Sequence, residues 1–309
     1  MKVLVAYDGS LHADAAIQDL KHAGLPENSE ILVVSIANDA WPHPRHNDAK
    51  EGQFDNPWND TMKQTAAVAE NAANQVRRIS PDWTVHSEPL WGDPPEILLK
   101  TIDHWKPDLL VVGSHGRNTA GRLLLGSVSL KLVHCAPCSV RVTRLPLEKD
   151  ANPKRIVVAI DGSDHAKAAV QAVAERRWPV GTEVTVISIF DSLVPSLGRY
   201  APSLESNTFA TEPAFRVIAE ADDHLKSQLH ETVQNCVGLL RNAGLNATGR
   251  VIEGQPLTQI AGETKLRHAG TVFVGARGLG ALDRLMLGSV SSALVTNSHC
   301  TVEVVRSKK

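Results

Sequence analysis

Hydrophobic and polar positions alternate along the chain in a pattern that predicts strands followed by helices. In the first half, short apolar runs predict strands at 2–7, 30–37, 84–90, 108–113 and 138–143. Between them, apolar residues recur at helical spacing and predict helices near 12–23, 61–79, 94–104 and 127–136. Runs that are apolar on both faces, such as 108–113 and 271–275, suit parallel strands covered by helices on each side. The pattern therefore predicts a doubly wound α/β sheet.

The second half of the sequence repeats the first, which indicates an internal duplication. Residues 3–13 match residues 156–166, and residues 113–144 agree with residues 275–306 at 15 of 32 positions. A charged segment bounded by prolines, 146–153, predicts a linker between domains at 1–145 and 154–309. Each domain is expected to be Rossmann-like, with a five-stranded, mostly parallel sheet and helices on both faces.

Composition adds that the chain is large enough for two cores and has little charge bias. It has 309 residues, of which 42% are hydrophobic, and a formal net charge of −2. This charge does not favour a nucleic-acid partner, and no apolar run reaches the roughly 18 residues that a membrane span needs. Met1 leads into the first predicted strand rather than into the apolar core of a signal peptide, so we expect a cytoplasmic protein.

The most specific motif is a glycine ladder that occurs once in each half, directly after an apolar strand. It reads Gly-x-x-Gly, nine residues, Gly-Ser, from Gly113 to Ser127 and again from Gly275 to Ser289. Glycines let backbone N–H groups approach phosphate oxygens, and the final Gly-Ser opens a helix whose N-terminus favours an anion. The serine suits the N-cap position of that helix. The ladder thus predicts a phosphate cradle, although such glycines also serve tight turns and close packing.

The ladder differs from a P-loop in ways that favour holding a nucleotide over cleaving it. A P-loop ends in Gly-Lys-Ser/Thr, whereas here serine follows the final glycine directly and Leu125 and Leu287 precede it. No lysine is therefore placed for phosphoryl transfer. Asp8 and Asp161 follow the first strand of each half, at the carboxyl ends where doubly wound sheets bind ligands.

These motifs resemble the universal stress protein family in its tandem-domain form, and in particular the branch that binds ATP. The ladder matches the signature of that branch, G-x-x-G, nine residues, G-S/T. The opening Ala-x-Asp-Gly-Ser of each half also matches, as do Gly92-Asp-Pro94 and Gly254-Gln-Pro256 after the third strands. The resemblance covers nearly the whole chain except the linker and the mid-domain loops. It implies one ATP site in each half, with any Mg²⁺ bound through the phosphates.

The same resemblance assigns roles to matching residues in the two halves. Asp8 and Asp161 would accept from the adenine edge; an Asx-type cap of the following helix is the alternative. The adenine would lie beside Ala6, Tyr7 and Ile36, or Ala159, Ile160 and Ile189. Val112 and Gly113, or Val274 and Gly275, would lie along the ribose. The phosphates would be held by Gly116, Gly126, Ser127, Val128 and Ser129, or by Gly278, Gly288, Ser289, Val290 and Ser291. His115 becomes Arg277 in the second half, so the two sites are expected to be inequivalent.

The implied function is a stress-response or signalling module that holds ATP and is read by an unidentified protein partner. Two alternatives stay open: a slow ATPase or related adenine-nucleotide hydrolase, and a structural protein with empty pockets. In the family, the last strands pair across a two-fold dimer. We therefore expect the strands at 139–143 and 301–305 to pair within one chain as a pseudo-dimer, and a homodimer of chains stays open.

Overall fold

The computed structural model describes residues 1–38, 57–116, 125–145, 151–192, 208–278 and 287–307. The strands are β1 (Lys2–Ala6), β2 (Glu30–Ala37), β3 (Thr84–Trp91), β4 (Leu109–Gly113), β5 (Ser139–Thr143), β6 (Asn152–Ile160), β7 (Glu183–Phe190), β8 (Asn246–Glu253), β9 (Ala269–Gly275) and β10 (Thr301–Val305). The helices are α1 (Leu11–Asp19), α2 (Pro57–Ile79), α3 (Pro94–Trp105), α4 (Ser127–Cys135), α5 (Asp164–Ala174), α6 (Thr208–Asn242), α7 (Pro256–Leu266) and α8 (Ser289–Asn297). Strands and helices alternate in both halves, as the hydrophobic pattern predicts.

The boundaries of the predicted elements need small corrections. Helix α2 begins at Pro57, earlier than the predicted start at 61, because proline is well suited to the first turn of a helix. Helix α1 ends at Asp19, and Leu20–His22 forms a 3₁₀ turn instead of continuing the α-helix. Strand β6 begins at Asn152, within the segment predicted as the linker.

All ten strands belong to one continuous sheet in the order β3-β2-β1-β4-β5-β10-β9-β6-β7-β8. Each half contributes five parallel strands, and β5 and β10 pair antiparallel at the centre. Val142 opposes Val302, Arg141 opposes Glu303, and Val140 opposes Val304. Pairing of the last strands within one chain is therefore confirmed, and the two halves form an intramolecular pseudo-dimer.

The two faces of this sheet are packed differently. On the face covered by α3, α4, α7 and α8, one hydrophobic core runs through both halves and includes Leu110, Val140, Val274 and Val302. On the other face, each half has its own core, one beneath α1 and α2 and one beneath α5 and α6. None of the helices within the described ranges has the length and apolar composition required to cross a bilayer.

Two arginines at equivalent positions fasten each half to a helix of the other. The Nη2 group of Arg144 donates to the carbonyls of Val295 (2.7 Å) and Thr296 (2.5 Å), at the end of α8. Arg306 reciprocates at the end of α4, where its Nη2 lies 2.9 Å from the carbonyl of Val133. A cation at a helix C-terminus satisfies carbonyls and opposes the helix dipole. These contacts therefore cap each half's last helix from the other half.

A buried ionic network lies at the centre of the pseudo-dimer. The fully buried Arg141 lies 3.0 Å from the equally buried Glu303 and 2.6 Å from Asp19. Arg176 of the second half also donates to Glu303, at 2.8 Å from Oε2. Two arginines and two carboxylates thus compensate each other, as buried charges require.

Candidate functional site

The Asp-Gly-Ser loops after β1 and β6 adopt the same hydrogen-bonded structure. The N–H of Ser10 donates to Asp8 Oδ1 at 3.0 Å, and Ser10 Oγ accepts from Ala13 N–H at 3.2 Å as the N-cap of α1. Ser163 repeats both bonds in the second half, at 3.0 and 3.2 Å. The aspartates therefore form Asx turns, and the N-cap is the serine two residues later rather than the aspartate.

The first glycine of each ladder is required by packing inside the protein. A Cβ on Gly113 would lie 2.7 Å from the carbonyl carbon of His12, in the first turn of α1. A Cβ on Gly275 would lie 2.7 Å from the carbonyl carbon of His165 and 2.8 Å from Ala166 N. Real Cβ atoms do not approach backbone this closely, so each strand passes its helix only because the side chain is absent. The close-packing interpretation therefore holds for these two positions.

The last glycine of each ladder has no such packing restraint. A Cβ on Gly288 would have its nearest neighbour at 3.5 Å, and one on Gly126 at 3.4 Å. These glycines are the N-caps of α8 and α4, and no side chain caps either helix. The prediction that Ser127 and Ser289 are the N-caps is wrong, because both residues already have helical geometry as the first residue of the helix. The N–H groups in the first turn of each helix therefore receive no acceptor from an N-cap side chain.

The loops of each half are joined at the carboxyl ends of the strands. Gly288 N–H donates to the carbonyl of Ala276 at 2.8 Å, and Ser163 Oγ donates to the carbonyl of Arg277 at 3.2 Å. The first half repeats this connection through Gly126 and Ser10. Asp161 Oδ2 would lie only 2.5 Å from a Cβ on Gly278. The carboxylate therefore lies against the Gly-x-x-Gly loop.

A cavity of about 630 Å³ opens between these loops in the second half. All twelve residues predicted for the second site line it: Ala159, Ile160, Asp161, Ile189, Val274, Gly275, Arg277, Gly278, Gly288, Ser289, Val290 and Ser291. Four further residues line the cavity but were not predicted: Ala166, Pro256, Ile260 and Leu287. Signals for two of them were present in the sequence, because Pro256 belongs to the Gly-Gln-Pro motif and Leu287 precedes the last glycine of the ladder.

The cavity is lined by both apolar and polar groups. Ile189, Ile260 and Leu287 are hydrophobic, whereas Arg277 and the N-terminus of α8 attract negative charge. Ser291 does not turn its hydroxyl to a ligand, because Ser291 Oγ donates to the carbonyl of Gly275 at 2.7 Å. This bond holds α8 on β9, and Ser129 makes the same bond to Gly113 in the first half.

The predicted residues of the first half lie at positions equivalent to those of the second half. Ala6, Ile36 and Val112 belong to the core on the face of α3 and α4. Ser127 is exposed at the start of α4, and Val128 behind it is half-buried. Tyr7 packs in the core of the opposite face, as its counterpart Ile160 does in the second half, and its hydroxyl donates to Asp14 at 2.6 Å. Burial, reinforced by this bond to a carboxylate, raises the pKa of Tyr7 to about 12, and its side chain points away from the site.

The two halves differ at the residues between the first two glycines of the ladder. In the first half, Ser114 Oγ lies 3.1 Å from Nδ1 of His12 and 3.1 Å from Nδ1 of His115. The centroids of the two imidazole rings are 4.8 Å apart. Desolvation lowers the pKa of both histidines, and for His115 the neighbouring His12 and Arg144 lower it further. The second half has Ala276 and Arg277 in place of Ser114 and His115, so its charge there is permanent.

Comparison with known proteins agrees with this architecture. The model of the universal stress protein family matches residues 1–144 and again residues 152–306. The universal stress protein Rv2005c of Mycobacterium tuberculosis is 26% identical and aligns over 98% of this chain and 96% of its own. A universal stress protein of Mycolicibacterium smegmatis is 25% identical with the same coverage.

A solved structure shows the same fold. The crystal structure of a universal stress protein from Archaeoglobus fulgidus has a TM-score of 0.67 and 19% identity, and covers 99% of this chain and 98% of that one. Two matches to one domain model, with relatives aligned from end to end, account for the duplication in the sequence and for the ten-stranded sheet. The chain belongs to the universal stress protein family and carries two of its domains in tandem.

Proposed function

We propose that each half binds one molecule of ATP and holds it without efficient turnover, so that the protein acts in stress response or signalling as a nucleotide-dependent module. The observation that carries this proposal is the cavity of the second half. Its lining combines apolar side chains that suit a base with an arginine and a helix N-terminus that suit phosphates. Its volume of about 630 Å³ falls in the usual range for small-molecule sites.

Two glycines support a phosphate position at the start of each last helix. A Cβ on Gly126 or Gly288 would meet its neighbours only at ordinary contact distances of 3.4 Å or more, so packing does not require glycine at either position. A phosphate oxygen at this place would accept from the first-turn N–H groups that no side chain caps. Asp161 would contact the adenine, with Ile189 and Ile260 on the apolar side. Any Mg²⁺ would be bound through the phosphates.

The lining of the cavity favours storage of the nucleotide over hydrolysis. Among the described residues that line it, Asp161 is the sole carboxylate and there is no lysine. Phosphoryl transfer relies on cations and a positioned base around the terminal phosphate. A slow ATPase is the alternative, and the rate of phosphate release distinguishes the two.

The first test is what the protein carries when it is purified without added nucleotide. We expect denaturation to release ATP, identified by chromatography and mass spectrometry, and expect the native protein to produce phosphate at a negligible rate. Rapid phosphate release would refute the storage function. A protein that contains no nucleotide and binds none in a titration would leave only a structural role.

The second test changes the two N-cap glycines together, Gly126→Asp with Gly288→Asp. Aspartate is a preferred N-cap residue, so both helices should keep or gain stability, and lost binding cannot be attributed to unfolding. A carboxylate about 4 Å from a phosphate near a protein surface costs on the order of 4 kcal/mol. We therefore expect ATP affinity to fall by at least about a hundredfold.

The matched control is Gly126→Asn with Gly288→Asn, which caps the same N–H groups without adding charge. Its affinity for ATP should lie between those of the wild type and the aspartate variant, as measured by calorimetry. Unchanged affinity in the aspartate variant would show that the phosphates do not lie at these helices.

A further inference from the structure

The halves of this chain share their loop geometry but differ in the groups that face the phosphate position. The N–H of Gly126 donates to the carbonyl of Ser114, and the N–H of Gly288 donates to the carbonyl of Ala276, at 2.8 Å in each half. A Cβ on Gly126 would lie 3.4 Å from Cα of His115, and one on Gly288 would lie 3.5 Å from Cα of Arg277. His115 and Arg277 therefore occupy the same place beside the N-terminus of the last helix, and Arg277 lines the cavity there.

The imidazole of His115 is buried, and one of its nitrogens has no hydrogen-bond partner among the described residues. The residue is 4% exposed, and within the described part of the chain its buried Nε2 has no hydrogen-bond partner. Buried nitrogens of this kind are normally paired in native proteins, so a missing partner suggests a ligand or an ordered water. An oxygen of a bound phosphate would supply that partner.

Ser114 links His115 to a second histidine and lets the pair accept protons. A serine hydroxyl has one proton and two lone pairs. When both rings are neutral, the hydroxyl donates to one Nδ1 and accepts from the other, over 3.1 Å each. When both rings are protonated, both Nδ1–H groups can donate to the same oxygen. The cluster can therefore change its charge without losing its internal hydrogen bonds.

From this arrangement, and resting on the proposed ATP binding, we infer that the first half recognises phosphate through the proton-accepting cluster His12–Ser114–His115, whereas the second half uses the permanent charge of Arg277. ATP binding to the first half then takes up protons. Its affinity rises as the pH falls, while binding at the second half depends less on pH.

The groups around the two histidines are consistent with proton uptake when ATP binds. His12 faces Asp8 and Arg144, and His115 faces His12 and Arg144. Desolvation is the largest cause that lowers both pKa values, so burial favours the neutral form of both rings before a ligand binds. A phosphate beside the rings favours the imidazolium and raises these pKa values. Each proton taken up increases affinity by as much as about tenfold per pH unit.

The equivalent histidine of the second half is less able to respond. His165 faces Asp161, Asp164, Arg277 and Arg306, and desolvation together with the two arginines lowers its pKa. Arg277 already provides a positive charge at any pH between 5 and 8. Ala276 stands in the place of Ser114, and the hydroxyl beside His165 Nδ1 is that of Ser307, in an exposed contact at 3.4 Å that does not link two histidines.

The test isolates each site and measures its proton uptake. Gly288→Asp leaves the first half to bind ATP, and Gly126→Asp leaves the second. Calorimetric titrations with ATP at pH 7.5 and 6.0, each in two buffers of different ionisation enthalpy, give affinity and protons bound. ATP itself titrates in this range, and that contribution is common to both proteins. We expect the first half to gain at least about tenfold more affinity than the second over this interval.

A transplant between the halves shows whether the cluster is the cause. Ser114→Ala with His115→Arg, made in the Gly288→Asp protein, installs the pair that the second half naturally carries. This variant should bind more tightly at pH 7.5 and lose most of the pH dependence. Equal pH dependence at the two sites, or a dependence that survives the transplant, would overturn the inference while ATP binding stands. A wild-type protein that binds no ATP at either pH would overturn the proposed function, and this inference with it.

Discussion

Two glycines of the second ladder, replaced one at a time by alanine, separate a glycine needed for folding from one needed for a ligand. In Gly275→Ala, the new methyl group meets the carbonyl carbon of His165 at 2.7 Å and the nitrogen of Ala166 at 2.8 Å. Both contacts are backbone at the start of α5, so the helix must move away from β9. Overpacking of this kind costs about 1–3 kcal/mol.

In Gly288→Ala, by contrast, the methyl group meets nothing closer than 3.5 Å, and its φ of −63° is allowed for any residue. We expect a loss of less than about 1 kcal/mol, because alanine is a poorer N-cap than glycine but meets no close contact. Thermal unfolding of nucleotide-free protein, followed by circular dichroism, measures both variants, because a bound ligand would add its own stabilisation. For halves of about 150 residues, Gly275→Ala should lower Tm by roughly 2–10 °C. Equal stability of the two variants would refute this division of roles.

Two further predictions concern buried groups. Glu303→Gln leaves Arg141 and Arg176 without a full counter-charge and should lower the free energy of unfolding in urea by about 3–5 kcal/mol. The control Glu27→Gln breaks an exposed pair with Arg177 and should lower it by less than about 1 kcal/mol. Similar losses in the two variants would contradict the role of burial. Burial raises the pKa of Cys138 and of Cys300 to about 11, so at pH 8 a maleimide should label the exposed Cys135 far faster than either. Labelling of either buried thiol at the rate of Cys135 in native protein would contradict this.

The fold was predictable because its determinants are local or repeated. Apolar runs marked the strands within one or two residues, since strands buried on both faces leave little choice of residue. The pairing of β5 with β10 was expected from the two-fold dimer of the family that the sequence resembles, and the duplication allows it within one chain, where it covers the last strand of each half. Helix ends were less accurate, since the assignment of an N-cap depends on a single residue's backbone angles, as at Gly126 and Ser127.

The site was predictable in its residues but not in their separate roles. The same spacing pattern contains two glycines with different roles. Packing requires a glycine at position 275, but it does not require one at position 288. That distinction depends on the distance to another element, which no local pattern reports. Likewise, His12 and His115 are about a hundred residues apart in the sequence, and only the carboxyl ends of neighbouring strands bring them to one serine.

Sequence differences between the two repeats also influence which halves pair with each other. Arg141 and Glu303 are equivalent positions of the two repeats, separated by the ladder's offset of 162, and they face each other where β5 meets β10. In this register, two first halves would oppose one buried arginine to another, and two second halves would oppose two buried glutamates. Each half would keep its own counter-charge in such a pair, Asp19 for Arg141 and Arg176 for Glu303, but only the unlike halves of one chain add a direct buried ion pair, at 3.0 Å, between the two central strands. The central ion pair therefore favours pairing of unlike halves, as in the intramolecular pseudo-dimer, over symmetric pairing of like halves between chains.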